Sequence, residues 1–222
     1  MKLSISIPIR AGSCRQTLFC QSIQRFFFLL FLFSSLHFLN ASAATVRQVS
    51  VEEMTQASEL VFEGQVVEVV PKLDVGGGQI HTLVTFQILD VIKGSYAQPK
   101  IALSFLGGTV NGLTLEVSDM HFPVLGEKGI YFVESLGRTQ IHPLFGWDQG
   151  HFVIKTDSNG VPRVMTRDQR TVTGVASLPR TQVKALSTGV AGGVVISADG
   201  KEKGLSVSEF KLKLRDINRG QP

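Results

Sequence analysis

Residues 145–150, with the sequence FGWDQG, combine side-chain types that binding surfaces use. Trp147 is the chain's only tryptophan, and an acid and an amide follow it directly. Aromatic side chains next to hydrogen-bonding groups are typical anchors of binding surfaces. The segment therefore predicts a partner-binding surface made of Phe145, Trp147, Asp148, Gln149 and His151. The same residues also fit a tryptophan that closes one end of a β-barrel, where the two glycines would allow a bulge.

Histidines are the next candidates, because imidazole nitrogens are common zinc ligands. Four of them follow residue 43: His81, His121, His142 and His151. No two of them have the spacing of an H-E-x-x-H motif or of a hairpin site. His142 and His151 flank residues 145–150 and could approach each other, so a metal-dependent hydrolase stays open as an alternative function. The spacing favours surface or hydrogen-bonded histidines, and we predict no bound metal and no cofactor.

Motifs of covalent and phosphate chemistry are missing from the sequence. It contains no G-x-S-x-G nucleophile elbow and no G-x-x-x-x-G-K-[ST] phosphate loop. Residues 157–160 (DSNG) share residue types with a calcium loop but lack its other ligands, which favours a plain hairpin turn. We therefore predict that the chain has no catalytic residues and is not an enzyme.

The first 43 residues have the pattern of a secretory leader. Three arginines precede the apolar run of residues 26–39, and an A-x-A site follows at residues 41–43. A basic region, a short apolar core and such a site together typify a cleaved signal peptide. The run is shorter than the ~20 residues that span a bilayer. We predict cleavage before Ala44, no stable membrane anchor, and export to the periplasm or the medium.

Removal of this leader changes both the charge and the cysteine content. It carries four basic residues and no acids, so the 22 basic residues of the chain fall to 18, which balances the 18 acidic ones. A nucleic-acid-binding protein usually shows a basic patch, and the sequence has no cluster of Lys and Arg, so no nucleic-acid partner is predicted. Cys14 and Cys20 are also removed, which predicts a fold without disulfides.

Short strands dominate the pattern that follows the leader. A capping box at Ser50 and Glu53 predicts a short N-terminal helix. From residue 59 to residue 165, apolar and polar residues alternate in six or seven runs, which are separated by turns rich in Gly, Asn and Asp. This pattern predicts a mainly β fold, an antiparallel barrel or sandwich, over residues 44–170.

Two segments of different composition follow. Residues 171–204 are rich in Ser, Thr, Gly and Ala and lack aromatics, which predicts a flexible linker, or at most a weak hairpin near residues 193–196. A second capping box, at Ser206 and Glu209, precedes an apolar stripe of helical spacing: Val207, Phe210, Leu214 and Ile217. We predict an amphipathic C-terminal helix over residues 205–218 that docks on the barrel or on a partner.

The order of these segments resembles netrin-like modules, the OB-type barrels of the tissue inhibitors of metalloproteinases. Residues 58–66 (SELVFEGQV) resemble the family's opening strand, and residues 85–94 (TFQILDVIKG) resemble its second long strand. The glycine-rich loop, the Gly-Glu turn before residues 131–133 and the Trp147 segment fit the same layout, also found in exported bacterial proteins, over about residues 50–165. The resemblance implies an antiparallel OB-like barrel of five to seven strands with short N- and C-terminal helices.

One feature of that family is missing here. Its inhibitors bind the zinc of their target through an N-terminal cysteine braced by disulfides, whereas the predicted N-terminus, residues 44–46 (ATV), has no cysteine. The inhibitory mechanism therefore does not carry over residue by residue. The sequence as a whole predicts an exported, non-enzymatic binding module that recognises a protein partner such as an exported protease. A hydrolase using His142 and His151, or a carrier of an apolar small ligand, is the alternative.

Overall fold

The computed structural model describes residues 46–74, 76, 78–176, 189–198 and 202–220. The predicted leader, residues 1–43, lies outside the described residues, and so do residues 177–188 of the predicted linker. Among the described residues, two α-helices flank the strands: α1 (Val51–Ala57) and α2 (Val207–Asn218). Within the described residues, neither helix has the length and apolar character needed to cross a membrane.

Ten strands lie between these helices in the described part of the chain. They are β1 (Leu60–Leu73), β2 (Ile80–Lys93), β3 (Lys100–Leu106), β4 (Gly108–Val110), β5 (Leu113–Leu115), β6 (Lys128–Val133), β7 (His151–Thr156), β8 (Pro162–Thr166), β9 (Val172–Val175) and β10 (Val194–Ile196). Six of them form one antiparallel sheet in the order β3-β2-β1-β6-β7-β8, while β4–β5 and β9–β10 form two-stranded sheets. The prediction of a mainly β, antiparallel fold is confirmed. The large sheet is open, with β3 and β8 at its two edges.

The long hairpin of β1 and β2 is bent rather than flat. Its register shifts at three places: between Val61 and Phe62, between Glu63 and Gly64, and between Val66 and Glu68. An extra residue in one strand of a pair bends that strand and increases its twist. The hairpin therefore curves over the apolar side chains on one of its faces.

The sheet covers one core on each face, and β6 contributes to both. Ile130 and Phe132 point to one face, Tyr131 and Val133 point to the other, and all four are fully buried. A short continuous apolar run is typical of a strand that is covered on both faces. The helix-side core includes Val61, Ile92, Ile130, Phe132, Phe152, Val164, Phe210 and Leu214. The β3-side core includes Phe62, Phe86, Ile101, Leu103, Phe105, Tyr131 and Val133.

Helix α2 begins at the predicted capping box. The Ser206 side chain accepts the Glu209 N–H, and the Glu209 carboxylate accepts the Ser206 N–H. Phe210 and Leu214 are fully buried, and the Phe210 ring lies 4.9 Å from that of Phe152. The apolar stripe of the helix therefore packs into the helix-side core of the same chain.

Ion pairs hold the polar side of α2 against β1 and β2. Lys211 Nζ lies 2.6 Å from Glu63 Oε2 and 2.9 Å from Asp90 Oδ2, and Arg215 Nη2 lies 2.8 Å from the same Asp90 oxygen. Burial alone would raise the pKa of Asp90, but the two cations outweigh it and lower that pKa. The contacts fix the helix across the long hairpin.

The described part of residues 171–204 contains two short strands, where the sequence predicted a flexible linker or at most a weak hairpin near residues 193–196. β9 and β10 pair with each other there, with Val194 opposite Val175. Gly192 is held on both sides, since its N–H donates to Val49 O and its carbonyl accepts the Val51 N–H. Ala191 is buried in the helix-side core with Val51 and Met54 of α1. The segment lacks an alternating pattern, so composition alone suggested a linker.

Candidate functional site

The residues predicted as a binding surface lie on a segment that runs along the end of β6. The Phe145 N–H donates to Phe132 O at 2.8 Å, and the Glu134 N–H donates to Pro143 O at 3.0 Å. Trp147 then has a left-handed backbone with φ of 61°. A bulky residue adopts this conformation only where its surroundings impose it.

Trp147 stacks on His142 instead of standing free. Their ring centroids are 5.3 Å apart and their planes differ by 9°. Phe105 meets the same imidazole edge-on, at 5.0 Å, and only 4% of His142 is exposed. Burial lowers the pKa of His142 to about 3, so the ring is neutral at neutral pH.

The neutral imidazole of His142 has a defined tautomer. Its Nδ1 accepts the Leu144 N–H at 3.2 Å, which leaves the proton on Nε2. That Nε2 is buried and has no hydrogen-bond partner within the described residues. A buried polar group in this state costs about 1–3 kcal/mol. His142 is thus a packing residue of the segment, fixed by Trp147, Phe105 and one hydrogen bond.

Asp148 lies at the rim of the segment. Its Oδ2 is 2.9 Å from His121 Nδ1 and 3.9 Å from an Arg167 guanidinium nitrogen. The Asp148 side chain is 20% exposed, and the His121 side chain is 39% exposed. Among the predicted surface residues, Phe145, Trp147 and Asp148 are therefore the partly exposed ones.

Gln149 and His151 are inside the molecule, which corrects their placement on a surface. Gln149 is 1% exposed; its side chain accepts the Val49 N–H and donates to Arg47 O and Gly146 O. His151 is 3% exposed, and its Nε2 lies 2.7 Å from Glu127 Oε1. Both side chains are used to join segments of the fold, and Phe145 packs against the helix-side core.

The glutamate that contacts His151 also accepts a hydrogen bond from Tyr131, at 3.0 Å. Burial and the Glu127 carboxylate together raise the pKa of Tyr131 well above its usual range. The Tyr131 hydroxyl therefore stays protonated and serves as a donor. Glu127 thus links His151 to Tyr131, which is a member of the β3-side core.

The geometry does not assemble a metal site from His142 and His151. His142 offers only a buried, protonated Nε2, and the His151 Nε2 faces Glu127. In the part of the chain that the structure describes, no three His, Cys, Asp or Glu residues are grouped so that they could hold a metal ion.

A different region offers an accessible concave surface, which we call the β3 cleft. It is an open cleft of about 640 Å³ along the edge strand β3. Its walls are residues 101–104 of β3, the hairpin end at residues 72–74, and the loop at residues 135–140. His81 and Ser104 face each other on its floor, with 3.3 Å between Nδ1 and Oγ. Volumes of this size are typical of ligand sites.

The outer edge of β3 presents backbone groups to this cleft. The Gly107 N–H donates to Ile80 O on the β2 side, whereas the Leu106 N–H donates to Ile141 O on the outer side. Backbone groups alternate direction along a strand, so those of Ala102 and Ser104 point outward with those of Leu106. No strand among the described residues pairs with this outer edge.

Sequence reasoning did not find the β3 cleft. The alternation of Ile101, Leu103 and Phe105 correctly indicated a strand with one buried face. An edge strand and an internal strand can share that alternation, so it does not reveal which strand ends the sheet. The nearest signal is Lys100 at the start of β3, since lysine is frequent on exposed edges.

Comparison of the chain with protein-family models, with curated proteins and with solved structures gives no match. The resemblance to netrin-like modules therefore stays a prediction from the sequence.

Proposed function

We propose that this protein is an exported, non-enzymatic module that binds another protein through the β3 cleft. The observation that carries the proposal is the open outer edge of β3 beside that cleft. An exposed strand edge can accept an extended segment of a partner through main-chain hydrogen bonds. The secretory pattern of residues 1–43 supports export, and an exported protease is one candidate partner.

The proposal includes an OB-like barrel as the architecture of the strand-rich part. The three register shifts in the β1–β2 hairpin bend it over the β3-side core, as bulges do in small barrels. The hydrogen bond from Leu106 to Ile141 draws the loop after β6 towards the β3 edge. In this proposal the loop partly closes the barrel, and the β3 cleft is the part that stays open.

The two alternatives have less support. A hydrolase would need His142 and His151 to meet at an accessible point, and both are buried with other contacts. A carrier of an apolar ligand would need space inside the curved hairpin. Aromatic rings lie there instead: Phe62, Phe86 and Tyr131 have centroids 4.6–5.5 Å apart.

The test uses wild-type protein and variants, each expressed from the full chain and purified after export. The measured quantity is the amount of each other exported protein that they capture. Ala102→Pro removes one outward N–H of β3, and Ala102→Ser is its matched control because it keeps that N–H. Proline is tolerated on an edge strand when its nitrogen faces outward. We expect at least one captured protein to fall by ~10-fold or more with Ala102→Pro and to be unchanged with Ala102→Ser, since each main-chain bond of the pair contributes.

Trp147→Ala distinguishes the β3 cleft from the surface predicted at residues 145–150. Because Trp147 stacks on a buried histidine, its truncation should lower the urea midpoint and leave capture by the folded protein unchanged. Loss of capture with an unaltered urea midpoint would move the site to residues 145–150. Equal capture by wild type and Ala102→Pro would refute the β3 cleft as the binding site.

A further inference from the structure

We infer that the β3 cleft binds an extended, acidic segment of about five residues from another protein, which adds to β3 as a strand. The inference rests on the proposed function, because it assumes that the cleft is the binding site. It adds the conformation, the length and the charge of the segment that the cleft takes.

The length follows from the contacts that already occupy the ends of the β3 edge. At one end the Tyr96 hydroxyl donates to Lys100 O at 3.4 Å, and at the other the Leu106 N–H donates to Ile141 O at 2.9 Å. Between these contacts lie six residue steps, which span roughly 20 Å at about 3.3 Å per residue. An extended segment of about five residues fits between them and meets the outward groups of Ala102 and Ser104.

The walls of the cleft indicate an apolar side chain in that segment. Leu136 is 39% exposed on the loop at residues 135–140. Side chains of an added strand alternate between the two faces of the sheet. An apolar residue of the segment would therefore cover Leu136, while the intervening residues meet the polar groups of the cleft.

The charges around the open edge favour an acidic segment. Lys72 and Arg138 line the cleft, the exposed Lys100 begins β3, and Asp74 is the one acid among the described residues that line it. The Glu59 carboxylate also reaches this wall, but it already accepts hydrogen bonds from the Ser135 hydroxyl and the Leu136 N–H. Arg138 contacts Glu134 at 3.0 Å, but 67% of its side chain is exposed and available to a second carboxylate. Complementary charges favour the right partner and repel the wrong one.

The same charges argue against a second copy of this chain as the occupant. Pairing two β3 edges would bring Lys100 and Arg138 of each copy towards those of the other. Lysine on an exposed edge is a common device against such pairing. The occupant is therefore a segment of another protein, and its carboxylates would neutralise these cations.

The experiment selects binders from a displayed library of random twelve-residue peptides with the full chain as target. We expect wild type to enrich peptides with β-branched and acidic residues. Their dissociation constants should rise by ~10-fold or more with Ala102→Pro and stay unchanged with Ala102→Ser, because main-chain bonds carry strand addition. The double variant Lys100→Glu/Arg138→Glu should enrich basic peptides instead. Lys128→Glu/Lys213→Glu, an equal charge change at exposed sites outside the cleft, should still enrich acidic ones.

Several outcomes would overturn the inference: no enriched peptide, enrichment without acidic bias, binding that ignores Ala102→Pro, or a dimer that Ala102→Pro dissociates. The failure is distinguishable from failure of the proposed function. If capture of an exported protein is still lost with Ala102→Pro but the peptides lack acidic bias, only the charge assignment fails. If neither capture nor peptide binding responds to Ala102→Pro, the proposed function fails as well.

Discussion

The two edges of the six-stranded sheet differ in what covers them. At the β8 edge, the Val164 N–H donates to Leu205 O, the Thr166 N–H donates to Arg170 O, and Arg163 reaches Gly204 O. At the β3 edge, the Leu106 N–H donates to Ile141 O near one end and the Tyr96 hydroxyl reaches Lys100 O at the other. The chain that follows β8 thus covers that edge, while the middle of β3 is bordered by a cleft.

The two edges therefore differ in how far their backbone groups are covered. A long, exposed strand edge is an aggregation hazard, and proteins usually cover it or place charges on it. At the β8 edge the protein uses backbone hydrogen bonds and the following helix. At the β3 edge, Lys100 begins the strand and Arg138 lines the neighbouring cleft, and charges on an exposed edge typically disfavour self-pairing.

The largest effect on the free energy of unfolding is expected in the helix-side core, into which α2 packs. Phe210→Ala should lower the free energy of unfolding by about 3–5 kcal/mol, because the buried ring packs against Phe152 in the helix-side core. Urea unfolding measures the loss. Leu212→Ala is the matched control, since Leu212 lies on the same helix with 57% exposure and should cost less than ~0.5 kcal/mol. Similar losses of stability for both variants would show that α2 does not pack into the helix-side core.

The next largest effect is the pH dependence of stability that comes from His142, which lies beside the β3 cleft. Because the folded pKa of His142 is about 3 and the ordinary value is 6.5, the unfolded chain binds a proton in this window and the folded protein does not. The contribution of neutral His142 to the free energy of unfolding is therefore fully present above pH 6.5. Below pH 6.5 it falls by about 1.4 kcal/mol for each pH unit, down to about pH 3.

His142→Asn tests this dependence, because an amide oxygen can still accept the Leu144 N–H. Between pH 6.5 and pH 4.5 the wild type should lose about 2–3 kcal/mol more than the variant does, following the same linkage. Urea midpoints of both proteins across this range provide the measurement. Parallel pH curves would mean that His142 can be protonated without unfolding, and that the loop beside the cleft is looser than its contacts indicate.

A pair of proline substitutions tests the two edges directly. Val164→Pro should cost about 1–3 kcal/mol more than Val164→Ala, because the Leu205 carbonyl loses its donor. Ala102→Pro should cost less than about 1 kcal/mol relative to wild type, since its outward N–H belongs to the open edge. Chemical denaturation of the four proteins gives both differences. A cost at position 102 as large as that at position 164 would contradict the difference between the edges.

The smallest effect is expected at the rim of the cleft. Arg138→Ala removes an exposed ion pair with Glu134, so stability should change by less than ~0.5 kcal/mol. A larger loss of stability would show that Arg138 holds the loop in place and is not free to meet a partner. Thermal unfolding of the variant beside wild type is sufficient to tell these cases apart.

The sequence by itself determined the features that depend on neighbouring residues. The capping box at Ser206 and Glu209 lies within four residues, and the structure shows both of its hydrogen bonds. The alternation in β1 to β3 defined strands, because a strand places successive side chains on opposite faces. The antiparallel, mainly β class followed from the same pattern and from the turns between the strands.

The tertiary structure decided which of these residues are accessible. Gln149 and His151 have residue types suited to a surface, yet contacts with Val49 and Glu127, far away in the sequence, bury them. His142 becomes neutral because Trp147 and Phe105 exclude water from its ring. Ala102 and Ser104 look like any other strand residues, and only the order of the strands leaves their backbone groups open. Burial and edge position depend on contacts between distant segments, and no local pattern of residues specifies them.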